Sequence, residues 1–201
     1  MTDTTVDTRT AIVEAALASF RTRGLRRTSV VDIAHAAKVS RSTVYEYFPD
    51  KRAIVDAASE HASQSFYRSM ARAMALEDSL EDKLGSAAVA VTSARRFIAP
   101  ERLSDAAEVD TLLTRNAAAL LRECGQFLGP YLAAAKLTGE VRHDLDVDAA
   151  AEWFARMLFS LFLTSSDRLD LDDAEAVSEF VRQHVVRGFV EPGLGQRRQA
   201  R

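Results

Sequence analysis

The sequence has one cysteine, four prolines and eight glycines among 201 residues, and each scarcity excludes a class of structure. A lone cysteine, Cys124, cannot form an internal disulfide, which suits a reducing compartment and a fold held by an apolar core. Few prolines and glycines, together with alanine-rich stretches, favour helices over a loop-rich β-structure. No stretch approaches twenty uninterrupted apolar residues, so the sequence predicts no membrane-spanning helix.

Charge and composition describe an ordinary globular chain with two unlike ends. The chain is long enough for one or two domains with a sizeable core. The N-terminus is polar and acidic and lacks the segments of a signal peptide, which predicts a cytoplasmic location. The formal net charge is −3, but residues 1–52 carry +3 and leave −6 for the remainder. This asymmetry fits a DNA-facing end and an acidic body.

Residues 28–51 hold the pattern that organises the chain. Thr28 or Ser29 can cap a short helix whose apolar residues share one face: Val30, Ile33, Ala34 and Ala37. A break at 38–39 follows, and Ser40 can cap a second helix that turns two residues inward, Val44 and Phe48. This is the layout of a helix-turn-helix, in which the second helix enters the DNA major groove.

The same stretch, G24-L-R-R-T-S-V-V-D-I-A-H-A-A-K-V-S-R-S-T-V-Y-E-Y-F-P-D-K51, resembles the N-terminal domain of the TetR family of bacterial transcriptional regulators. Its most specific part is S40-x-x-T43-V-Y-x-Y-F-x-x-K51, and the match covers about the first quarter of the chain. The resemblance implies an all-helical homodimer with an N-terminal DNA-binding domain and a C-terminal effector-binding and dimerisation domain. It also implies DNA contacts at Ser40, Arg41, Ser42, Thr43, Tyr45, Tyr47 and Lys51, and a phosphate contact at Thr28.

Residue chemistry agrees with these contacts. Hydroxyls and amides at helix N-termini bind phosphates, and Arg41 can bind guanine or a phosphate. At 100° per residue, Ser42 and Glu46 face away from the inward Val44. The two tyrosines could instead pack against the domain.

Two positions depart from the family pattern. Lys38 stands where glycine is common in the turn, so we expect a left-handed backbone with about 1 kcal/mol of strain, and a phosphate contact that could offset it. Glu46 places an acid on the outward face of a DNA-reading helix. It could accept from cytosine N4, pair with a nearby arginine, or remain a solvated charge at the groove edge.

The rest of the chain predicts an all-α fold of about nine helices. The proposed domains are 1–50 for DNA binding, 51–195 for effector binding and dimerisation, and a disordered basic tail at 196–201. Residues 1–7 are predicted to be a disordered arm, and Gly129-Pro130 to kink or split a helix. The predicted helices outside 28–50 are 9–23 (ended by Gly24), 51–76, 79–98, 109–128, 148–164 and 172–189.

The last two helices could supply a dimer interface. Residues 148–164 are apolar almost all the way round, except for one polar stripe: Glu152, Arg156 and Ser160. Paired across a twofold axis, the two helices would form a four-helix interface; alternatively, both are buried within one subunit. The predicted interface residues are Phe154, Leu158, Leu161, Phe162, Val177, Phe180, Val181, His184 and Val185.

The sequence does not distinguish an activator from a repressor, but the resemblance favours a repressor, because repression is commoner in the family. For its release we expect a small, largely apolar ligand that shifts the helix beginning at Lys51. Asn116 interrupts an apolar stripe and could bind a ligand or another helix. The candidate pocket residues are Phe66, Met70, Met74, Phe97, Asn116, Phe127, Tyr131, Trp153 and Met157. The alternative is a regulator of the same fold that binds no small molecule and is controlled by a protein partner.

Other functions find little support. No Ser/His/acid set, phosphate loop or buried pair of carboxylates indicates an enzyme, and no cofactor is expected. The acidic cluster around His143 (Asp144, Asp146, Asp148) has the spacing of a helix cap rather than a metal site. Cys124 lies on an apolar stripe, where a thiol is usually inert core and not a redox sensor.

Overall fold

The structure, a computed structural model, describes residues 3–98, 117–184 and 188–190, with side chains from position 7 and up to 95 in the first range. These ranges contain helices and no strand, which confirms the predicted all-α class. Eight helices lie in them: α1 Asp3–Arg23, α2 Val30–Ala36, α3 Arg41–Tyr47, α4 Lys51–Ala75, α5 Leu80–Ile98, α6 Ala117–Thr138, α7 Val147–Leu163 and α8 Ala174–His184.

The predicted start of the first helix is wrong. This helix begins at Asp3 rather than Arg9, because the intervening segment has no glycine or proline to oppose helix formation. Of the two alternatives at Gly129-Pro130, a kink or a split, the split does not occur, because the helix continues to Thr138. A proline removes one helical hydrogen bond; residues buried on both sides of it hold the helix together through tertiary packing: Leu128, Leu132 and Ala135.

Other helix ends follow the expected chemistry. Gly24 has a left-handed φ angle of 84° and ends α1, as predicted, and Gly139, with a φ of 75°, ends α6 in the same way. Helix α8 begins at Ala174, two residues later than predicted, because the Asp173 carboxylate accepts from the amides of Glu175 and Ala176 at 2.9 and 3.1 Å. The predicted tail at 196–201 and the stretch 99–116 lie outside the described residues.

The described residues form two compact units, and the division between them falls within α4, between Arg68 and Ser69. The N-terminal unit has one core to which all four of its helices contribute: Ile12, Val13, Ala16, Ile33, Ala34, Val44, Phe48, Ile54 and Ala58. Helices α2 and α3 have seven residues each. Isolated helices of that length are unstable in water, so the shared core is what stabilises them.

The C-terminal unit, Ser69–Phe97 and the described residues after position 116, has its own buried core. Its largest buried side chains come from α4 to α7: Met70, Met74, Leu84, Leu128, Leu132, Phe154 and Leu158. Gly125 of α6 lies against the α7 backbone, with its missing Cβ position 3.8 Å from the amide nitrogen of Glu152, so the two helices pack closely. The predicted polar stripe of α7 is exposed, and Arg156 Nε donates to Glu152 Oε1 at 3.0 Å.

Among the helices described, none is both long and apolar enough to cross a membrane.

Candidate nucleic-acid interface

The N-terminus of α2 is fixed by a reciprocal cap. Ser29 is the N-cap, and its hydroxyl oxygen accepts from the Asp32 amide at 3.2 Å, while the Ser29 amide donates to Asp32 Oδ2 at 2.8 Å. Arg23 at the end of α1 also pairs with the Asp32 carboxylate. Hydrogen bonds from Ser29 and the charge of Arg23 hold the pKa of Asp32 below its ordinary value. The prediction from sequence did not assign this role to Asp32, although the Ser-x-x-Asp spacing signals it.

The turn between α2 and α3 depends on a left-handed lysine. Lys38 has a φ of 57°, as predicted from its place in the turn. Its amide donates to His35 O at 3.2 Å, and the amide of Val39 donates to Ala34 O at 3.0 Å. This pair of bonds is a Schellman motif, a common end for an α-helix that favours glycine at the left-handed position. The Lys38 side chain is exposed beside α3.

Helix α3 begins with a cluster of hydroxyls. Ser40 is the N-cap, and its oxygen accepts from the Thr43 amide at 3.0 Å. The same oxygen lies 2.7 Å from the Ser42 hydroxyl and 2.8 Å from that of Thr43. Buried Val44, which has no exposed surface, holds the opposite side of α3 in the core. The exposed hydroxyls and the helix amides therefore form one polar surface that can donate to phosphate oxygens.

Arg41 and Tyr45 form a pair on the exposed side of α3. The Arg41 guanidinium lies 5.5 Å from the centre of the Tyr45 ring, and its Nη2 donates to the tyrosine hydroxyl at 3.4 Å. Tyr45 is 43% exposed, whereas Tyr47 is half-buried and packs on the core of the N-terminal unit. Glu46 is exposed, and no cation in the described ranges pairs with it. The structure therefore does not support the alternative in which Glu46 pairs with a nearby arginine.

Thr28 is buried and Lys51 is half-buried, and both side chains bond to backbone carbonyl groups of the loop before α2. Thr28 is 1% exposed. Its hydroxyl donates a hydrogen bond that is shared between two carbonyl oxygens, Gly24 O at 2.8 Å and Ser19 O at 3.2 Å. The Lys51 ammonium donates to Leu25 O at 2.6 Å and to Arg26 O at 3.4 Å. Both side chains that the resemblance assigns to DNA thus hold the loop between α1 and α2. Phosphate contacts at these two positions stay predictions.

The predicted pocket residues do not share one cavity. Met70 and Met74 have no exposed surface, Phe127 and Tyr131 stack at 5.5 Å, and Trp153 is 44% exposed against Phe189. Phe66, half-buried, contacts the Tyr67 ring in the N-terminal unit, and Met157 is half-buried in α7. The side chains of Phe97 and Asn116 lie outside the described residues. An open groove of about 530 Å³ lies instead between α4, α5 and α8, and none of the predicted residues lines it.

The predicted interface residues fall into two groups. Five are buried within the single chain: Phe154, Leu158, Leu161, Val177 and Val181. Phe162 and Phe180 are half-buried, His184 is exposed against the Phe180 ring, and Val185 lies outside the described residues. Burial within one subunit is the alternative that the sequence left open, and it accounts for the first group. Of the predicted interface residues that the structure describes, Phe162, Phe180 and His184 have surface left for a partner.

The acidic segment before α7 acts as a helix cap, as its spacing indicates. Asp146 is the N-cap and accepts from the amides of Asp148 and Ala149 at 3.1 and 3.0 Å. Asp144 pairs with Arg142 at 3.0 Å, and the hydrogen bond from that guanidinium lowers the pKa of the carboxyl. Among the described residues, no group of three metal-ligating side chains comes together.

Burial raises the pKa of the Cys124 thiol to about 12, so the reactive thiolate is scarce at neutral pH.

Taken together, a capped helix-turn-helix with an exposed polar second helix places the N-terminal unit in the class of helix-turn-helix DNA-binding domains. Residues 12–58 match the family model described as bacterial regulatory proteins, tetR family. Over 55 residues the chain is 40% identical to the HTH-type transcriptional regulator LuxR of Vibrio harveyi. That match spans about a quarter of each protein, 27% of this chain and 27% of LuxR.

Solved structures resemble the chain over most of its length. A TetR-family regulator from Cytophaga hutchinsonii matches with a TM-score of 0.67 and 18% identity, over 96% of this chain and 99% of that one. FadR from Bacillus subtilis, solved in complex with stearoyl-CoA, matches with a TM-score of 0.57 and 19% identity, over 87% and 97%. At these identities the likeness concerns the fold. Residues 12–58 therefore resemble the DNA-binding domain of the tetR family, and the fold of the chain is similar to that of solved regulators of this family.

Proposed function

We propose that this protein is a dimeric repressor of transcription that binds a palindromic DNA operator and is released by a small, largely apolar ligand. The observation that carries DNA binding is the exposed surface of α3. It combines the hydroxyl cluster at Ser40 with the Arg41–Tyr45 pair, while Val44 anchors the opposite side. The protein would act in the bacterial cytoplasm, on the nucleoid.

The small size of the reading helix supports dimerisation. Helix α3 has seven residues and can contact only a few base edges, so two copies about one DNA turn apart are needed for specificity. Within α7 and α8, the predicted interface residues with remaining surface are Phe162, Phe180 and His184. These side chains are the expected contacts across the twofold axis.

Selection of binding sites from random DNA with the full chain tests the DNA-binding function. We expect a palindromic motif whose half-sites are about 10 base pairs apart, centre to centre. Failure to enrich any sequence, together with no binding to duplex DNA at low salt, would contradict the proposal.

The oligomeric state is tested separately by sedimentation. We expect Phe162→Glu or Phe180→Glu to shift the protein to monomer, because a buried charge at an apolar interface has no partner. Leu137→Glu is the matched control, since Leu137 is 90% exposed in the same unit. A monomeric wild type, or a control that dissociates equally, would refute this interface.

The effector is tested by screening ligand classes. FadR was solved with stearoyl-CoA, which makes long-chain acyl compounds a reasonable first class to screen. Thermal-shift measurements should show stabilisation by a true ligand through mass action, and the ligand should also release the selected DNA. If no ligand class stabilises the protein, the result favours the alternative function, a regulator of the same fold that is controlled by a protein partner.

A further inference from the structure

The loop between α1 and α2 carries two adjacent arginines that no prediction above assigns to DNA. Arg26 and Arg27 are both exposed, and they immediately precede Thr28 and the α2 cap at Ser29. Guanidinium groups are well suited to phosphate, because their planar donors bind two oxygens at once. Exposure and charge alone describe many surface arginines, and what distinguishes this pair is the way its loop is held.

The backbone of this loop is held at several points. Gly24 takes a left-handed φ of 84°, and its amide donates to Phe20 O at 2.9 Å. The buried Thr28 hydroxyl bonds back to the carbonyls of Gly24 and Ser19. The Lys51 ammonium donates to the next two carbonyls, those of Leu25 and Arg26. The loop from Gly24 to Thr28 is therefore fixed largely through its own carbonyl groups.

The Lys51 bond also sets where the loop lies. Lys51 is the first residue of α4 and follows α3 after a short connection, residues 48–50. Its hydrogen bonds place the backbone of Arg26 beside the junction of α3 and α4, and hence beside the end of the DNA-reading helix. If α3 lies in the major groove, we expect a phosphate that flanks the bases it reads to pass near this loop.

We propose that Arg26 and Arg27 form a second phosphate-binding site next to α3, and that Lys51 positions this site through the loop carbonyls instead of contacting DNA itself. The proposal rests on the DNA-binding function above. Its ligand is the sugar-phosphate backbone of duplex DNA, so the site adds affinity and register without reading sequence. Because the backbone is already ordered, binding costs less conformational entropy than it would in a free loop.

The first test removes the two charges. The double variant Arg26→Gln/Arg27→Gln is titrated from 50 to 300 mM KCl against the duplex recovered by selection and against a scrambled 40-base-pair duplex. The slope of log K against log salt should fall by about 0.9 for each phosphate that is no longer bound, or about 1.8 per bound protomer, equally on both duplexes. Arg68→Gln is the matched control: this exposed arginine lies about 25 Å along α4 from Lys51 and should leave the slope unchanged.

The second test separates positioning from direct binding. Lys51→Gln alone should weaken binding to both duplexes, but in the Arg26→Gln/Arg27→Gln background it should have no further effect on affinity or salt slope. Trypsin should also cleave folded Lys51→Gln after Arg26 or Arg27 several times faster than wild type, because the variant lacks the tether between Lys51 and the loop. A thermal melt with an unchanged midpoint would confirm that Lys51→Gln is folded. If Lys51→Gln is not folded, the conservative variant Lys51→Arg is used in its place and should retain slow cleavage.

The outcomes are distinguishable. If the double arginine variant keeps the wild-type salt slope, the phosphate site is refuted. If Lys51→Gln lowers the salt slope by about a further 0.9 in the Arg26→Gln/Arg27→Gln background, Lys51 contacts DNA directly and its positioning role is refuted. If wild-type protein binds neither duplex at 50 mM KCl, the DNA-binding function itself fails.

Discussion

Replacement of Lys38 by glycine should stabilise the protein while weakening its hold on DNA. Lys38 has a φ of 57° in the turn between α2 and α3, a conformation in which the Cβ of an L-residue crowds the following carbonyl. Its side chain is exposed, so removing it costs no packing. The turn needs the backbone conformation, whereas any phosphate contact needs the ammonium group. The two roles can therefore be separated by substitution.

The expected magnitude comes from two opposing terms. Relief of left-handed strain should contribute about 1–2 kcal/mol to the free energy of unfolding. The greater freedom of glycine in the unfolded chain should remove roughly 0.5–1 kcal/mol of that gain. Lys38→Gly should therefore stabilise by about 1 kcal/mol or somewhat less. Lys38→Ala retains Cβ and should be close to neutral, while Lys38→Val should destabilise because a β-branched side chain fits this conformation poorly.

Urea unfolding of all three variants at one protein concentration measures these differences, since the stability of the proposed dimer would depend on concentration. Hydrogen exchange of the Val39 amide, which bonds to Ala34 O across the turn, gives a local measure if the two units unfold separately. Binding to duplex DNA should fall equally for Lys38→Gly and Lys38→Ala. Equal stability of the glycine and alanine variants would refute the strain argument, and full DNA affinity in both would refute the phosphate contact.

Three further outcomes are expected. Glu46→Ala should change the base preference recovered by site selection, because Glu46 is exposed on α3 and could accept from cytosine N4; an identical motif for variant and wild type would leave it as a solvated charge. Asp32→Asn should destabilise the protein at pH 7, and the difference should shrink as the pH falls towards 3. The folded pKa of Asp32 is depressed, so its contribution is present above the unfolded pKa and disappears as the carboxylate protonates; a difference independent of pH would contradict this. Cys124 should resist alkylation by iodoacetamide at pH 7.5 until urea is added, because burial raises its pKa to about 12; rapid labelling of the folded protein would be inconsistent with that burial.

Local chemistry explains where prediction from the sequence succeeded. A cap needs only a side-chain oxygen a few residues from a free amide, and a left-handed stop needs only glycine or a tolerant residue. Ser40, Gly24 and Lys38 accordingly do what their positions predicted. At Pro130 the same local reasoning left a kink or a split open, and burial of neighbouring residues keeps the helix continuous there.

Local reasoning from the sequence could not predict side-chain roles that depend on partners far away in the chain. The sequence could identify Lys51 as a cation after α3, but not that its ammonium lies against carbonyls 25 and 26 positions earlier in the chain. It could identify apolar stripes on α7 and α8, but not which of their residues the subunit itself would bury.

By itself, the sequence determined the all-α class, the two capped helices and the turn that joins them, because these depend on residues within about one helical turn of each other. Only the tertiary structure decided that Thr28 and Lys51 face the loop, that Phe154 and Val177 are buried within the subunit, and that Arg26 lies beside the end of α3. The physical reason is that hydrogen bonding within a helix or turn is local, whereas burial and side-chain partners are fixed by contacts between segments far apart in the chain.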